Sequence, residues 1–133
     1  MKFMLDTNIC IFLIKNKHEK IIRHMRRLDI GDIGISAITH AELQFGVAKS
    51  RSRQRNRLAL DQFVAPLVIA PFDESAAEAY GTIRANLEKS GKPIGSLDTL
   101  IGAHALSLNV VLVTNNTREF RRIKNLKVVD WSV

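Results

Sequence analysis

Short runs of β-branched and apolar residues alternate along this chain with longer stretches whose apolar positions recur every three or four residues. Lys2–Leu5, Ile33–Ser36, Leu67–Ile69, Val110–Thr114 and Lys127–Val129 have the length and composition of strands. The amphipathic stretches between them read as helices. This alternation predicts an α/β fold with a central, mainly parallel five-stranded sheet and helices on both of its faces. No repeat, low-complexity tract or linker interrupts residues 1–133, so a single domain is expected.

Capping patterns sharpen some helix boundaries. Thr39-His40-Ala41-Glu42 fits a capping box, with Thr39 as N-cap and Glu42 three residues on, so a helix is expected from there to about Lys49. Ser75 to Lys89 carries an apolar stripe of Ala76, Tyr80, Ile83 and Leu87, and Gly91 provides a stop. The loop from Lys92 to Ser96 leads into a helix bearing Asp98. That helix is predicted to turn Leu97, Leu100, Ile101, His104 and Leu108 inward. A histidine on such a face is more often a hydrogen-bonded core residue than a ligand.

Charge changes the picture. The formal net charge is +7, which attracts polyanions in general, nucleic acid and acidic membrane surfaces among them. Three basic runs concentrate it: Lys15 to Arg27, Lys49 to Arg57, and Arg118 to Lys127. Each fits a solvated helix face. Three together repel one another, and a phosphate backbone would offset that repulsion. The few aromatic residues are not interleaved with these runs, which disfavours binding by base stacking. The single cysteine, Cys10, excludes an internal disulfide and fits a small buried hydrophobe. The histidines show no metal-ligand spacing, which excludes a structural zinc site. Asp6 and Asn8 interrupt the N-terminal apolar run and no stretch approaches the length of a membrane span, so a cytoplasmic protein is expected.

Against this basic background, acids fall at the ends of elements. Asp6 closes the first apolar run and precedes a helix, at the strand edge where open α/β sheets bind ligands. Read alone, it fits an N-cap. Glu42 and Asp98 fall in the opening turns of two other predicted helices, and Glu119 follows the strongest strand. Asp98 also fits a helix-dipole partner, and Glu119 a surface acid among arginines. Gathered in one place, the four would form an all-oxygen site suited to magnesium or manganese. Such an ion lowers the pKa of bound water and stabilises charge developing on a phosphodiester.

Four segments carry a family resemblance. Phe3-Met4-Leu5-Asp6-Thr7-Asn8 resembles the opening of PIN-domain nucleases, and Ala41-Glu42-Leu43-Gln44-Phe45-Gly46 their E-L-x-x-G helix. Pro93-Ile94-Gly95-Ser96-Leu97-Asp98 resembles the approach to their third acid, and Val113-Thr114-Asn115-Asn116-Thr117-Arg118-Glu119-Phe120 their last motif. Order and length are similar to the VapC toxins of type II toxin–antitoxin systems. The resemblance implies a three-layer α/β/α fold and a Mg2+-dependent endoribonuclease, with Mn2+ as an alternative ion. It implies Asp6, Glu42 and Asp98 as catalytic acids, with Asp6 and Asp98 as metal ligands. Many members have an aspartate where Asn116 stands here, so either Glu119 supplies a fourth acid or the site runs on three. Thr7, Asn8, Thr114 and Asn116 are candidates for positioning substrate or water. The implied partners are a cognate VapB-type antitoxin lying across the active-site groove, a second copy in a homodimer, and promoter DNA only through the antitoxin. The last motif is similar to members that cleave tRNA in the anticodon loop, initiator tRNA among them.

Two other classes compete. A phosphatase or receiver domain also uses an aspartate at a strand end with magnesium. The first generally has a second aspartate two residues on, where this chain has Asn8. The second needs a late lysine that Thr114-Asn115-Asn116 does not supply. A non-catalytic nucleic-acid-binding module accounts for the charge but not for the acids.

Overall fold

The computed structural model describes residues 1–133. Five short strands, β1 (Phe3–Leu5), β2 (Ile33–Ser36), β3 (Val68–Ala70), β4 (Val111–Val113) and β5 (Val128–Val129), pair in the order β3-β2-β1-β4-β5. Every pairing is parallel, so the sheet is wholly rather than mainly so. The five predicted strands are these, within a residue or two at each end. Seven helices connect or follow them: α1 (Thr7–Ile14), α2 (Glu19–Arg26), α3 (Ala37–Ala48), α4 (Arg53–Val64), α5 (Glu74–Lys89), α6 (Ser96–Leu108) and α7 (Thr117–Phe120).

Alternation along the strands divides the interior in two. Met4 and Leu112 point into a core shared with Ile83 and Leu87 of α5, Ile101 of α6 and Phe120 of α7. Leu5 and Val113, the next residues along, point into the opposite core with Ile9 of α1, Ile21 of α2, Leu43 of α3 and Leu60 of α4. This is the expected three-layer α/β/α arrangement. Each core holds 11 buried residues. Burying one Leu or Ile side chain contributes about 1.5–3 kcal/mol, and a domain's net stability is only about 5–15 kcal/mol. Neither layer is therefore dispensable.

Two expectations about helices need correction. Ser36, not Thr39, caps α3, its hydroxyl accepting from the Ile38 N–H at 3.0 Å. The helix starts at Ala37, which places Thr39 inside it and fully buried, and moves Glu42 to the second turn. The capping-box pattern misled because β2 runs straight into the helix, so the serine ending the strand does the capping. In α6 the inward face is Thr99, Ile101, Gly102, Ala103, His104 and Ala105. Leu97 and Leu108 are exposed instead. At Gly102 the turn after α7 packs close: a Cβ there would meet Ile123 Cδ1 at 2.5 Å. The α5 stripe holds at Ala76, Ile83 and Leu87, and the helix, capped by Asp73, begins at Glu74, one residue before the expected start. Gly91 beyond its end has φ +67°, the conformation a terminating glycine adopts.

Candidate active site

The sheet order reverses at β1: its chain neighbour β2 lies on one side and β4 on the other. A crevice forms at the carboxyl end of such a switch point. Asp6 stands there. Its N–H donates to the Val113 carbonyl at 3.0 Å, and its Oδ1 accepts from the Ile9 N–H at 2.9 Å. The residue is therefore the N-cap of α1 and also a member of the acid group; the two readings coincide.

Asp6, Glu42 and Asp98 line one cleft of about 810 Å³. Glu42 accepts a hydrogen bond from the Thr7 hydroxyl at 2.7 Å, with the Thr39 hydroxyl 3.4 Å from that of Thr7. Asp98 occupies the third position of α6 and is half-buried. Glu119 stands just outside the lining, where its Oε2 accepts from Asn116 Nδ2 at 3.0 Å. Thr114 is fully buried, and its hydroxyl accepts from the Asn116 N–H at 2.9 Å. Of the four candidate positioning residues, Thr7, Thr114 and Asn116 thus bond to the acids or to each other. Asn8 is exposed on the cleft wall.

The acids sense one another. Burial pushes the Asp6 carboxyl up to about 6, with hydrogen bonds from Thr114 and Ile9 opposing and the charges of Asp98 and Glu42 adding to the rise. Burial also raises Asp98, helped by Glu119 and then Glu42. Glu119, the least secure of the four from sequence, is the acid whose charge Asp98 feels most. No ion pair of the protein involves any of these carboxylates. Repulsion in a partly buried all-oxygen cluster is what a divalent cation relieves. No three of the acids stand close enough to ligate one ion together. That fits magnesium, which keeps several waters and takes one or two carboxylates.

Sequence reasoning missed how the site is held. Ser36 ends β2, caps α3 and lies 2.7 Å from Nδ1 of the buried His104 on α6. One hydroxyl thereby joins the helix carrying Glu42 to the helix carrying Asp98. His104 is the hydrogen-bonded core histidine expected of it, with its pKa lowered by burial. Its chain separation from Ser36, 68 residues, left no local signal. The cleft wall also holds exposed Phe45 and Leu97, and Lys49, whose ammonium lies 5.0 Å from the Phe45 ring centre. The i, i+4 spacing of Phe45 and Lys49 was the available clue.

The PIN domain family model matches residues 3–126. The tRNA(fMet)-specific endonuclease VapC of Shigella flexneri is 45% identical over 132 residues, 99% of either chain. Ribonuclease VapC2 of Rickettsia felis is 42% identical over 98% of either chain. Among solved structures, DNA-bound VapBC from Salmonella typhimurium superimposes with a TM-score of 0.93 at 45% identity, covering 98% of each chain. VapBC2 from Rickettsia felis, bound to a DNA fragment from its promoter, gives 0.92 at 41% identity, covering 98% of this chain and 99% of that one.

Proposed function

The chain belongs to the PIN domain family, and we propose that it is a VapC-type ribonuclease toxin whose carboxylate cluster, with a divalent metal ion, cleaves tRNA. The observation that carries this reading is the convergence of Asp6, Glu42 and Asp98 on one cleft at the switch point of the sheet, with Glu119 behind them.

Asp6 and Asp98 would hold the ion, with Mg2+ favoured and Mn2+ of the same chemical type. The ion would supply a water of lowered pKa and neutralise charge developing at phosphorus. The residues do the rest. Asp6 is fixed at both ends, its carboxylate by the Ile9 N–H and its own N–H by the Val113 carbonyl, and so needs little reorganisation as charge develops. Glu42, held by Thr7, can accept a proton from an attacking water. Glu119, steered by Asn116, keeps the proton affinity of Asp98 high until a cation arrives. A charge-neutral Asn116 leaves the site with one strong cation position rather than two.

The same residues fit the alternatives poorly. Asn8, where a phosphatase would carry its second aspartate, is an exposed amide. A module that only bound nucleic acid would gain nothing from packing anions together.

Initiator tRNA is the favoured substrate, because the Shigella flexneri relative is named for tRNA(fMet) and is similar over nearly the whole chain. The partner is a cognate VapB-type antitoxin, as in the VapBC complexes this chain resembles. Its C-terminal segment would set an arginine or lysine against the acids, and an arginine fork suits two carboxylates at once. The active form would be a homodimer, and promoter DNA would be contacted through the antitoxin. The substrate is tested by incubating the purified chain with total tRNA and magnesium and mapping the new ends. Cuts confined to the anticodon loop of initiator tRNA are expected. Indiscriminate cutting, or cutting of messenger RNA alone, would contradict the assignment.

A further inference from the structure

A second cleft, separate from the one that the acids line, gathers basic residues from two parts of the chain. The end of α5 and the loop after it face the turn after α7 across a cleft of about 790 Å³. Six cations line it, Lys89, Lys92, Arg118, Arg121, Arg122 and Lys124, and no acid does. None of the six takes part in an ion pair. Arg122 is already oriented, its Nη1 donating to the Pro93 carbonyl at 3.0 Å. Four neutral polar residues, Thr82, Asn86, Ser90 and Asn125, and four apolar ones complete the lining. In sequence these cations belong to separate stretches, and only the fold makes them one concave surface.

Packing six unpaired cations into one cleft opposes folding through their mutual repulsion. A polyanion with closely spaced charges offsets that, and guanidinium groups suit phosphate oxygens. The cleft is also tied to the acid site. Arg118 is adjacent in sequence to Glu119, so α7 contributes to both sites. Arg122 grips the loop that leads into α6 and Asp98.

We propose that this cleft is an RNA exosite: it binds the phosphate backbone of a structured RNA at a distance from the bond being cut, and holds that RNA against the acid site. The inference rests on the ribonuclease reading and adds where the body of the substrate lies. Four neutral polar groups among the cations can reach sugar and phosphate oxygens, and the absence of aromatic side chains from the lining makes contact with stacked-out bases unsuitable. The exosite reads shape and charge.

The test uses the whole chain, with Lys92, Arg121 and Lys124 changed together to Gln. These three are exposed, make no side-chain bond in the structure and lie outside the acid cluster. A control changes Lys17, Lys20 and Arg23 to Gln, removing the same charge from around α2, on the opposite face of the sheet. Affinity for an initiator tRNA transcript is measured without magnesium as a function of potassium chloride, and cleavage is then measured with magnesium. The exosite triple variant should bind tRNA more than ~10-fold more weakly, with a salt slope shallower by about two to three, one unit per lost phosphate contact. Its KM for tRNA should rise while kcat changes little. The control should keep most of the wild-type affinity. An unchanged affinity and slope, or an equal loss in the control, overturns the exosite. A wild-type chain that binds tRNA through this cleft but never cuts it would instead overturn the ribonuclease reading alone.

Discussion

Asp6 is both a cap and a member of the acid cluster, and its titration separates the two roles. With its folded pKa about 6 against an ordinary 3.8, the metal-free folded chain takes up this proton before the unfolded chain does as pH falls. The stability of the metal-free protein should therefore rise as pH drops from about 6 towards 4, and the cost of the buried charge is fully present above pH 6. A shift of about two units corresponds to about 3 kcal/mol at most. Asparagine caps a helix as well as aspartate does, so Asp6→Asn should stabilise the metal-free protein at pH 7 by about 1–3 kcal/mol. It should also abolish the rise in melting temperature that magnesium gives the wild type. A variant less stable than wild type at pH 7 in chelator would show that the carboxylate is not strained. Glu119 carries a smaller role, and Glu119→Gln should lower cleavage roughly tenfold, about 1.4 kcal/mol, leaving the fold intact. Loss as complete as in Asp98→Asn would make it a full member of the site, and wild-type rates would make it a surface acid. The sequence showed Asp6 and Asp98 because they fall at the starts of helices, and Glu42 through a capping pattern that the structure does not use. It did not show that Asn116 and Glu119 are bonded, since an amide three residues from a carboxylate is also common on solvated turns.

At the scale of elements, β1, β2 and β4 were legible because parallel strands buried on both faces are nearly continuous apolar runs. Helix faces were less so. In α6, Leu97 and Leu108 looked like core and are exposed, while the buried face carries the small residues Gly102, Ala103 and Ala105, with Ile123 close against Gly102. The start of α3 was misplaced because Thr39 and Glu42 match a cap, whereas Ser36 at the strand end performs it. This difference is measurable. Ser36→Ala removes the cap and the partner of His104 together, and should destabilise by about 2–4 kcal/mol, the sum of a lost cap and an unsatisfied buried group. Because that hydroxyl joins α3 to α6, cleavage should fall more than the stability loss explains at temperatures where the variant is folded. Thermal melts and cleavage rates on the same sample check both, and a Ser36→Ala protein with wild-type melting would refute the role given to this contact. Gly34 makes a simpler prediction. A Cβ there would meet the Val68 carbonyl oxygen at 2.5 Å and also Met1 Sδ. The sulfur can move, but the backbone of β3 cannot without breaking register, so Gly34→Ala should cost about 1–3 kcal/mol.

The whole molecule is a small parallel sheet that brings distant acids to one edge of a strongly basic chain. Lys49 reaches the acid cleft itself, the arginines of α4 continue from it, and the cleft between α5 and α7 extends the positive surface on the other face. Net charge was plain in the sequence, but its distribution was not, because Lys89 and Lys92 meet Arg121 and Lys124 only through the fold. RNA affinity should accordingly fall steeply with salt. Changing Arg51, Arg53 and Arg55 to Gln should flatten that slope or weaken antitoxin binding, and no change in either would leave this run as solvated surface. No helix is long and apolar enough to cross a membrane. The central claim is that a divalent ion held by Asp6 and Asp98 carries out RNA cleavage, and one measurement addresses it most directly. The rate of tRNA cleavage is followed as magnesium is titrated into metal-free wild-type protein and into Asp98→Asn, with melting curves showing that both are folded. Saturable, magnesium-dependent cleavage by the wild type, abolished by excess chelator and reduced at least ~100-fold in Asp98→Asn, is the predicted result. Cleavage that persists in chelator, or an Asp98→Asn protein as active as wild type, would contradict it.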